Sequence, residues 1–228
     1  MSDDLTHLQQ VKDLYSDDPG TFVEFLGGRY RRKEGVTRLY VGRFADSFVN
    51  GRNGPVWGFL LDHPQMQDIV DINEDGTRAW GRFRALMSAG VHESIAATHP
   101  RGIDSKGRPR QWWEGGLYEN EYIKENGVWK IFRLRYFPFW HGEFADGWSY
   151  TKPNYVPFPT VTYPEDPLGP DQLVEQKMLW PDARVIPFHY PHPVTGNQVA
   201  PDDLKAPIYG QPPVSDQKPL SIEDPDEK

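Results

Sequence analysis

Residues 119–140 read ENEYIKENGVWKIFRLRYFPFW, and this stretch decides the fold. Apolar and polar residues interleave on both sides of Glu125-Asn126-Gly127. Asn-Gly supplies the left-handed backbone that a tight hairpin turn needs, so the stretch predicts two antiparallel strands, Trp112–Lys124 and Val128–Phe139. Moving upstream, Gln67–Ile72 and Thr77–Ala89 flank a second turn signal, Asn73-Glu74-Asp75-Gly76. Further back, Val36, Leu39, Tyr40, Phe44 and Phe48 recur at steps of three and four, the apolar stripe of an amphipathic helix over Lys33–Phe48 that stops near Asn50-Gly51. A short strand is expected around Phe22–Leu26, closed by Gly27-Gly28, and a short helix over residues 5–15. Helices first and a strand meander after them give an α+β class.

Proline distribution divides the chain. Six of the 22 prolines lie in residues 1–150 and sixteen in the remaining residues. Proline lacks a backbone donor and is kept out of helix interiors and central strands. The expected organisation is a regular domain over 1–150, an extended proline-rich segment over 151–200, and an acidic tail over 201–228. The segment keeps apolar anchors, among them Tyr155, Phe158, Leu179, Trp180, Ile186 and Phe188, and is expected to lie on the domain or on a neighbouring subunit. The tail carries seven acidic and three basic residues and is expected to be mobile and solvated.

Composition limits the function. The net charge of −8 argues against nucleic acid and anionic membrane as partners. The absence of cysteine excludes disulfides, thiolate metal sites and cysteine nucleophiles. No apolar run approaches the roughly 20 residues of a membrane span, and MSDDLTHLQQ has no signal-peptide pattern. The expectation is a soluble, cytoplasmic protein. No glycine-rich phosphate loop, His-Glu-x-x-His or serine elbow is present, so no cofactor and no metal are expected. His189 and His192 share an i, i+3 spacing, but the prolines around them prevent a helix, and anchoring of the extension is the better reading.

Three stretches, TFVEFLGGRYRRKEGVTRLYVGRF (21–44), HPQMQDIVDINEDGTRAWGRFRALMSAG (63–90) and the hairpin at 119–140, resemble the SnoaL-like branch of the nuclear transport factor 2 superfamily. The resemblance covers roughly residues 10–140. It implies a cone-like curved antiparallel sheet packed on N-terminal helices, with a pocket at the open end. Family members start with a long helix that often gives a Tyr or Asp to the pocket. Only one short helix precedes the first strand in this sequence, so that role finds no position. The extension, GWSYTKPNYVPFPTVTYPEDPLGP (147–170) and LWPDARVIPFHYPHPVTG (179–196), is similar to extended SnoaL-like proteins of aromatic degradation. The nearest implied activity is that of cofactor-independent diarylpropane formaldehyde-lyases, which convert lignin-derived dimers to stilbenes. The alternatives are a dehydratase or cyclase of a polyketide-like compound, or a non-catalytic ligand-binding module. A homo-oligomer, dimer or trimer, is implied because the outer sheet face of this fold commonly pairs.

Candidate residues follow from chemistry. His63 lies at a strand entry where the resemblance places a general base, a role that suits histidine because the unperturbed imidazole titrates near neutrality; the alternative is a turn histidine beside Asp62 and Pro64. Alternation sets Trp112, Glu114, Gly116, Tyr118, Asn120 and Tyr122 on one strand face: an aromatic wall, a carboxylate and a phenol, as an aryl pocket requires. Trp113, on the other face, adds a second ring beside Glu114. In the last strand, Trp129, Ile131, Arg133, Arg135 and Phe137 share one face and Lys130, Phe132, Leu134 and Tyr136 the other. Arg135 and Arg82 are candidates for orienting a substrate oxygen, against cross-strand ion pairs with Glu119 and Glu121. His141 falls at a strand end. Tyr30 and Tyr40 are candidate donors, with Tyr40 on an apolar helix face. The expected catalytic set is therefore His63, Glu114, His141, Tyr30 and Arg135. Trp112, Trp113, Tyr118, Tyr40, Arg82 and Tyr136 are expected to bind a small aromatic substrate.

Overall fold

The computed structural model describes residues 8–52, 54–150, 158–175, 180–206, 209–211 and 218–222. A 3-10 helix, Leu8–Leu14, leads into the hairpin β1 (Phe22–Phe25) and β2 (Gly28–Arg31). β2 differs from the expectation of a plain turn: Leu26 and Gly27 take left-handed φ values of 45° and 81°, which fold Phe25 back onto Gly28. The helix expected over Lys33–Phe48 runs as three consecutive pieces. They are α1 (Arg32–Thr37), a π-helical segment (Arg38–Phe44) and α2 (Ala45–Val49), ended by Asn50 in the left-handed conformation.

The sheet follows as β3 (Phe59–Asp62), β4 (Gln65–Ile72), β5 (Arg78–Val91), β6 (Gln111–Glu125) and β7 (Val128–Glu143), with the short α3 (Glu93–Ala96) after β5. Asn126 and Gly127 make the turn between β6 and β7 with φ of 51° and 82°. The sheet order is β3-β5-β6-β7-β1-β2-β8, where β8 is Gln172–Leu173 and β4 also pairs with β5. The sheet is curved and unclosed. It departs from a purely antiparallel one where β1 pairs parallel with β7.

The concave face closes on the helical stretch. Val36 and Leu39 pack with Val23, Tyr118, Leu134 and Tyr136, all buried. The convex face is covered by the extension. Ile186 is fully buried against Leu117, Phe137 and Leu220. Burial of an aliphatic side chain of this size contributes about 2 kcal/mol. Residues 158–175 extend the sheet edge instead. Asp171 accepts the Arg31 amide at 2.7 Å, and Arg38 pairs with Asp171 at 2.5 Å and lies over the Tyr163 ring. Tyr155 and Leu179, expected as anchors, lie outside the described residues. Within the acidic end, Leu204 and Leu220 are buried, so its described parts are not uniformly solvated.

Candidate active site

Glu114 is the centre of the site. It sits on the concave side of β6, only 4% exposed, where an isolated carboxylate would be costly. Two partners satisfy it. Tyr136 donates its phenolic O–H to Oε1, and His141 Nδ1 lies 2.5 Å from Oε2. That geometry assigns the Nδ1–H tautomer to His141, with the carboxylate accepting. Burial, followed by the adjacent Glu114 charge and Tyr118, pushes the Tyr136 phenol well above its ordinary value. Tyr136 therefore stays protonated and fixes Glu114 as an acceptor.

Two irregularities of the sheet create this triad. Gly115 pairs with Trp140 while Gly116 pairs with Pro138, so Phe139 is an extra residue in β7. This β-bulge shifts the alternation by one and places His141 opposite Glu114. Without the bulge, strict alternation along β7 would set His141 on the face opposite to Tyr136. The second feature is Gly116 itself, where any Cβ would overlap the Tyr136 ring. A glycine pair inside a strand signals a bulge or a close approach; the bulge is there, and the close approaches at Gly115 and Gly116 are made by Trp140 and Tyr136.

Two cavities meet at Glu114. The larger, about 300 Å³, has Tyr15, Tyr40, His63, Tyr118, Ile131 and Leu134 in its wall. The smaller, about 130 Å³, is bordered by Tyr30, Arg43, Phe48, Arg101, Trp112 and His141. Phe25, Phe44, Phe48, Met87 and Glu114 belong to both. The His63 ring packs against Tyr118 and Tyr136 with centroids 5.8 and 5.7 Å apart. His63 and His141 thus stand in different lobes on either side of the Glu114–Tyr136 bond.

The structure brings together His63, Glu114, His141, Tyr30, Tyr40, Trp112, Tyr118 and Tyr136 around these lobes. It separates Arg82, Arg135 and Trp113 from them. Arg82 pairs with Glu119 on the convex side and donates to the Pro187 and Ile186 carbonyls at 2.9 and 3.2 Å. Arg135 pairs with Glu121 at 2.7 Å, and Arg133 reaches the same carboxylate at 3.6 Å. Neither Arg133 nor Arg135 projects into the concave side, and the cross-strand ion-pair alternative describes them. Trp113 stacks on Phe144, 5.0 Å between centroids, outside both lobes. Ile131 moves the other way. An extra residue at Phe132 sets it opposite Tyr122 and into the larger lobe.

Sequence reasoning missed Tyr15, Arg43 and Arg101. Tyr15 is 1% exposed and hydrogen-bonded to Tyr40 at 3.2 Å. Its phenol is pushed well above its ordinary value by burial first and Tyr40 next. The signal available was its place at the end of the first helical segment, the element for which no pocket residue had been found. Arg43 and Arg101 carried no periodic signal.

Among the described residues, no group of three or more His, Asp or Glu side chains is arranged to hold a metal ion. His189 bonds Glu119 at 2.8 Å and faces Asp71 at 3.2 Å, anchoring the extension. No helix of the described residues is long and apolar enough to cross a membrane.

The family model described as a SnoaL-like domain matches residues 3–135, more than half of the sequence. The chain belongs to the SnoaL-like domain family. This SnoaL-like chain is similar to several solved structures. One is a type 2 hexachlorocyclohexane dehydrochlorinase (LinA), 17% identical over 62% of this chain and 82% of that one, with a TM-score of 0.42. Another is the type 3 enzyme from Novosphingobium barchaimii LL02, 15% identical over 62% and 81%, with a TM-score of 0.44. A third is a provisionally named scytalone dehydratase from Novosphingobium aromaticivorans, 16% identical over 63% and 79%, with a TM-score of 0.42. No curated protein matches the sequence.

Proposed function

We propose that this SnoaL-like protein is a cofactor-independent lyase acting by acid–base chemistry on a hydrophobic aromatic substrate. The observation that carries the reading is the buried Glu114 carboxylate, held by Tyr136 and His141 at the waist of an aromatic-walled cavity. A carboxylate on Nδ1–H holds an imidazole in the tautomer whose Nε2 accepts a proton. His141 is the base in this reading, Glu114 its orienting group, and His63, across the waist, the acid.

Two lobes favour a substrate with two rings. A cavity of about 150 Å³ holds benzene, and the adjoining lobes of about 130 and 300 Å³ together exceed that more than twofold, which suits a two-ring substrate lying across Glu114. The finer proposal is deformylation of a lignin-derived diarylpropane diol. The base takes the proton of the primary alcohol, and its oxygen forms the carbonyl of formaldehyde. The C–C bond breaks, its electrons form the stilbene double bond, and the neighbouring hydroxyl leaves as water with a proton from the acid. Electrons and atoms balance without a redox partner.

The experiment incubates metal-stripped protein with the diol and assays stilbene absorbance and formaldehyde. Both products are expected in equal amounts. Loss of water without formaldehyde would favour the dehydratase reading, and ligand binding without turnover the binding-module reading.

A further inference from the structure

Part of the wall of the smaller lobe comes from outside the residues that the family model matches. Pro159, from the proline-rich segment, borders the smaller lobe and not the larger. Residues 158–175 are seated on the domain as a strap. The Tyr163 amide donates to the Pro170 carbonyl at 2.8 Å and closes a loop, and β8 then continues β2, with Leu173 opposite Gly28. Asp171 fastens the strap: its carboxylate accepts the Arg31 amide at 2.7 Å and pairs with Arg38 at 2.5 Å. Arg38 also donates to the Gly169 carbonyl at 3.3 Å.

The domain makes room for the strap by omitting side chains. A Cβ on Gly28 would stand 2.8 Å from Pro170 Cβ and 3.3 Å from Pro159 Cγ, and one on Gly42 would stand 2.6 Å from Leu168 Cδ2. Pro170 is fully buried in this seat. The ring of a proline fixes its φ, so a proline wall yields little to a ligand. The smaller lobe, about 130 Å³, is no larger than the roughly 150 Å³ cavity that holds benzene. An unsubstituted ring already fills a space of that size, which leaves none for a longer chain beyond the ring.

We propose that Pro159, held by the 158–175 strap, is a specificity-determining residue of the smaller lobe: it admits a ring that ends the substrate and excludes one extended by a chain or a further ring. The inference rests on the cavity being the substrate site, and it narrows the substrate class to free two-ring compounds as against inner units of a longer aryl chain. Asp171 acts through the strap and is a positioning residue. Neither residue takes part in the proton transfers assigned to His141 and His63, so size selection and chemistry are separable.

Fluorescence titration at neutral pH compares para,para′-dimethoxystilbene with para,para′-dipropoxystilbene. The two ends of each ligand are alike, so whichever ring enters the smaller lobe carries the test chain, and the larger lobe, about 300 Å³, has room for the other end. The dipropoxy ether is expected to bind roughly tenfold more weakly than the dimethoxy ether, the lower range for overpacking a fixed wall. Pro159→Ala trims the wall and Asp171→Ala unfastens the strap. Each is expected to bring the two ethers within about threefold of one another, while the dimethoxy ether binds as before, which also reports an intact fold. Equal affinity for both ethers in the parent, discrimination that survives either substitution, or no binding of either ether overturns the assignment. Discrimination relieved as expected, without turnover of the diol, removes the lyase reading and leaves the wall standing; turnover with discrimination unmoved by the substitutions does the reverse.

Discussion

The ring of Tyr136 lies across Gly116, and its hydroxyl reaches over that glycine to the Glu114 carboxylate two residues away on the same strand. Only a residue without a side chain leaves this path open. Gly116→Ala is expected to push Tyr136 off its rotamer, at a cost of about 2 kcal/mol for an overpacked core. It should also break the bond to Glu114. Urea unfolding measures the first effect, and turnover of a confirmed substrate the second. Wild-type stability and rate in the alanine variant would remove Tyr136 from the site.

Glu114→Gln keeps the shape and loses the charge that orients His141. The expected fall in kcat is about a hundredfold, the lower range for one acid–base group, with little change in KM. His141→Ala and His63→Ala should each fall comparably if the two imidazoles share the proton transfers. Steady-state kinetics of the three variants checks the assignment. Turnover that survives loss of both Glu114 and His63 is the result that sinks it.

Tyr136 and Tyr15 both have phenols pushed well above their ordinary values, by burial first in each case. A group whose folded value is raised contributes stability that is whole below its unfolded value, about 10, and is lost as pH rises past it. Stability should therefore be unaffected by these phenols near neutrality and decline above about pH 10. Phenolate absorbance against pH is expected to show a late, cooperative step coincident with unfolding. Tyr136→Phe should shrink that step, and a smooth single titration of all tyrosines would contradict the burial of these two.

Arg82 ties the convex face to the extension through Glu119 and the carbonyls of Ile186 and Pro187. Arg82→Ala leaves a buried carboxylate with one partner fewer, an expected loss of about 3 kcal/mol. Ile186→Ala empties a fully buried position and is expected to cost about 3 kcal/mol as well. Denaturant unfolding checks both. The chemical site lies on the other side of the sheet, so kcat of the folded variants should stay within a few-fold of the parent.

The elements were legible because their signals are local. Asn126-Gly127 fixes a turn by backbone freedom alone, and the apolar steps of Val36, Leu39, Tyr40 and Phe44 define a helix face without reference to the sheet. The face of β6 that carries Trp112, Glu114 and Tyr118 also followed from alternation, because the register shift near its middle lies in β7. On β7 itself alternation failed twice. The extra residues Phe132 and Phe139 turned Ile131 into the larger lobe and brought His141 onto Glu114.

By itself, then, the sequence determined the α+β class, the order of helices and strands, the two hairpin turns and the presence of a carboxylate among aromatic residues on one strand face. Each depends on neighbours a few positions apart. Only the tertiary structure decided that His141 is the partner of Glu114, that Arg82 and Arg135 belong to the covered convex side, and that Arg43 and Arg101 meet at one lobe. Those outcomes depend on where bulges fall and which distant segments pack together. A shift of one residue in pairing exchanges the two faces of a strand, and no local pattern records it.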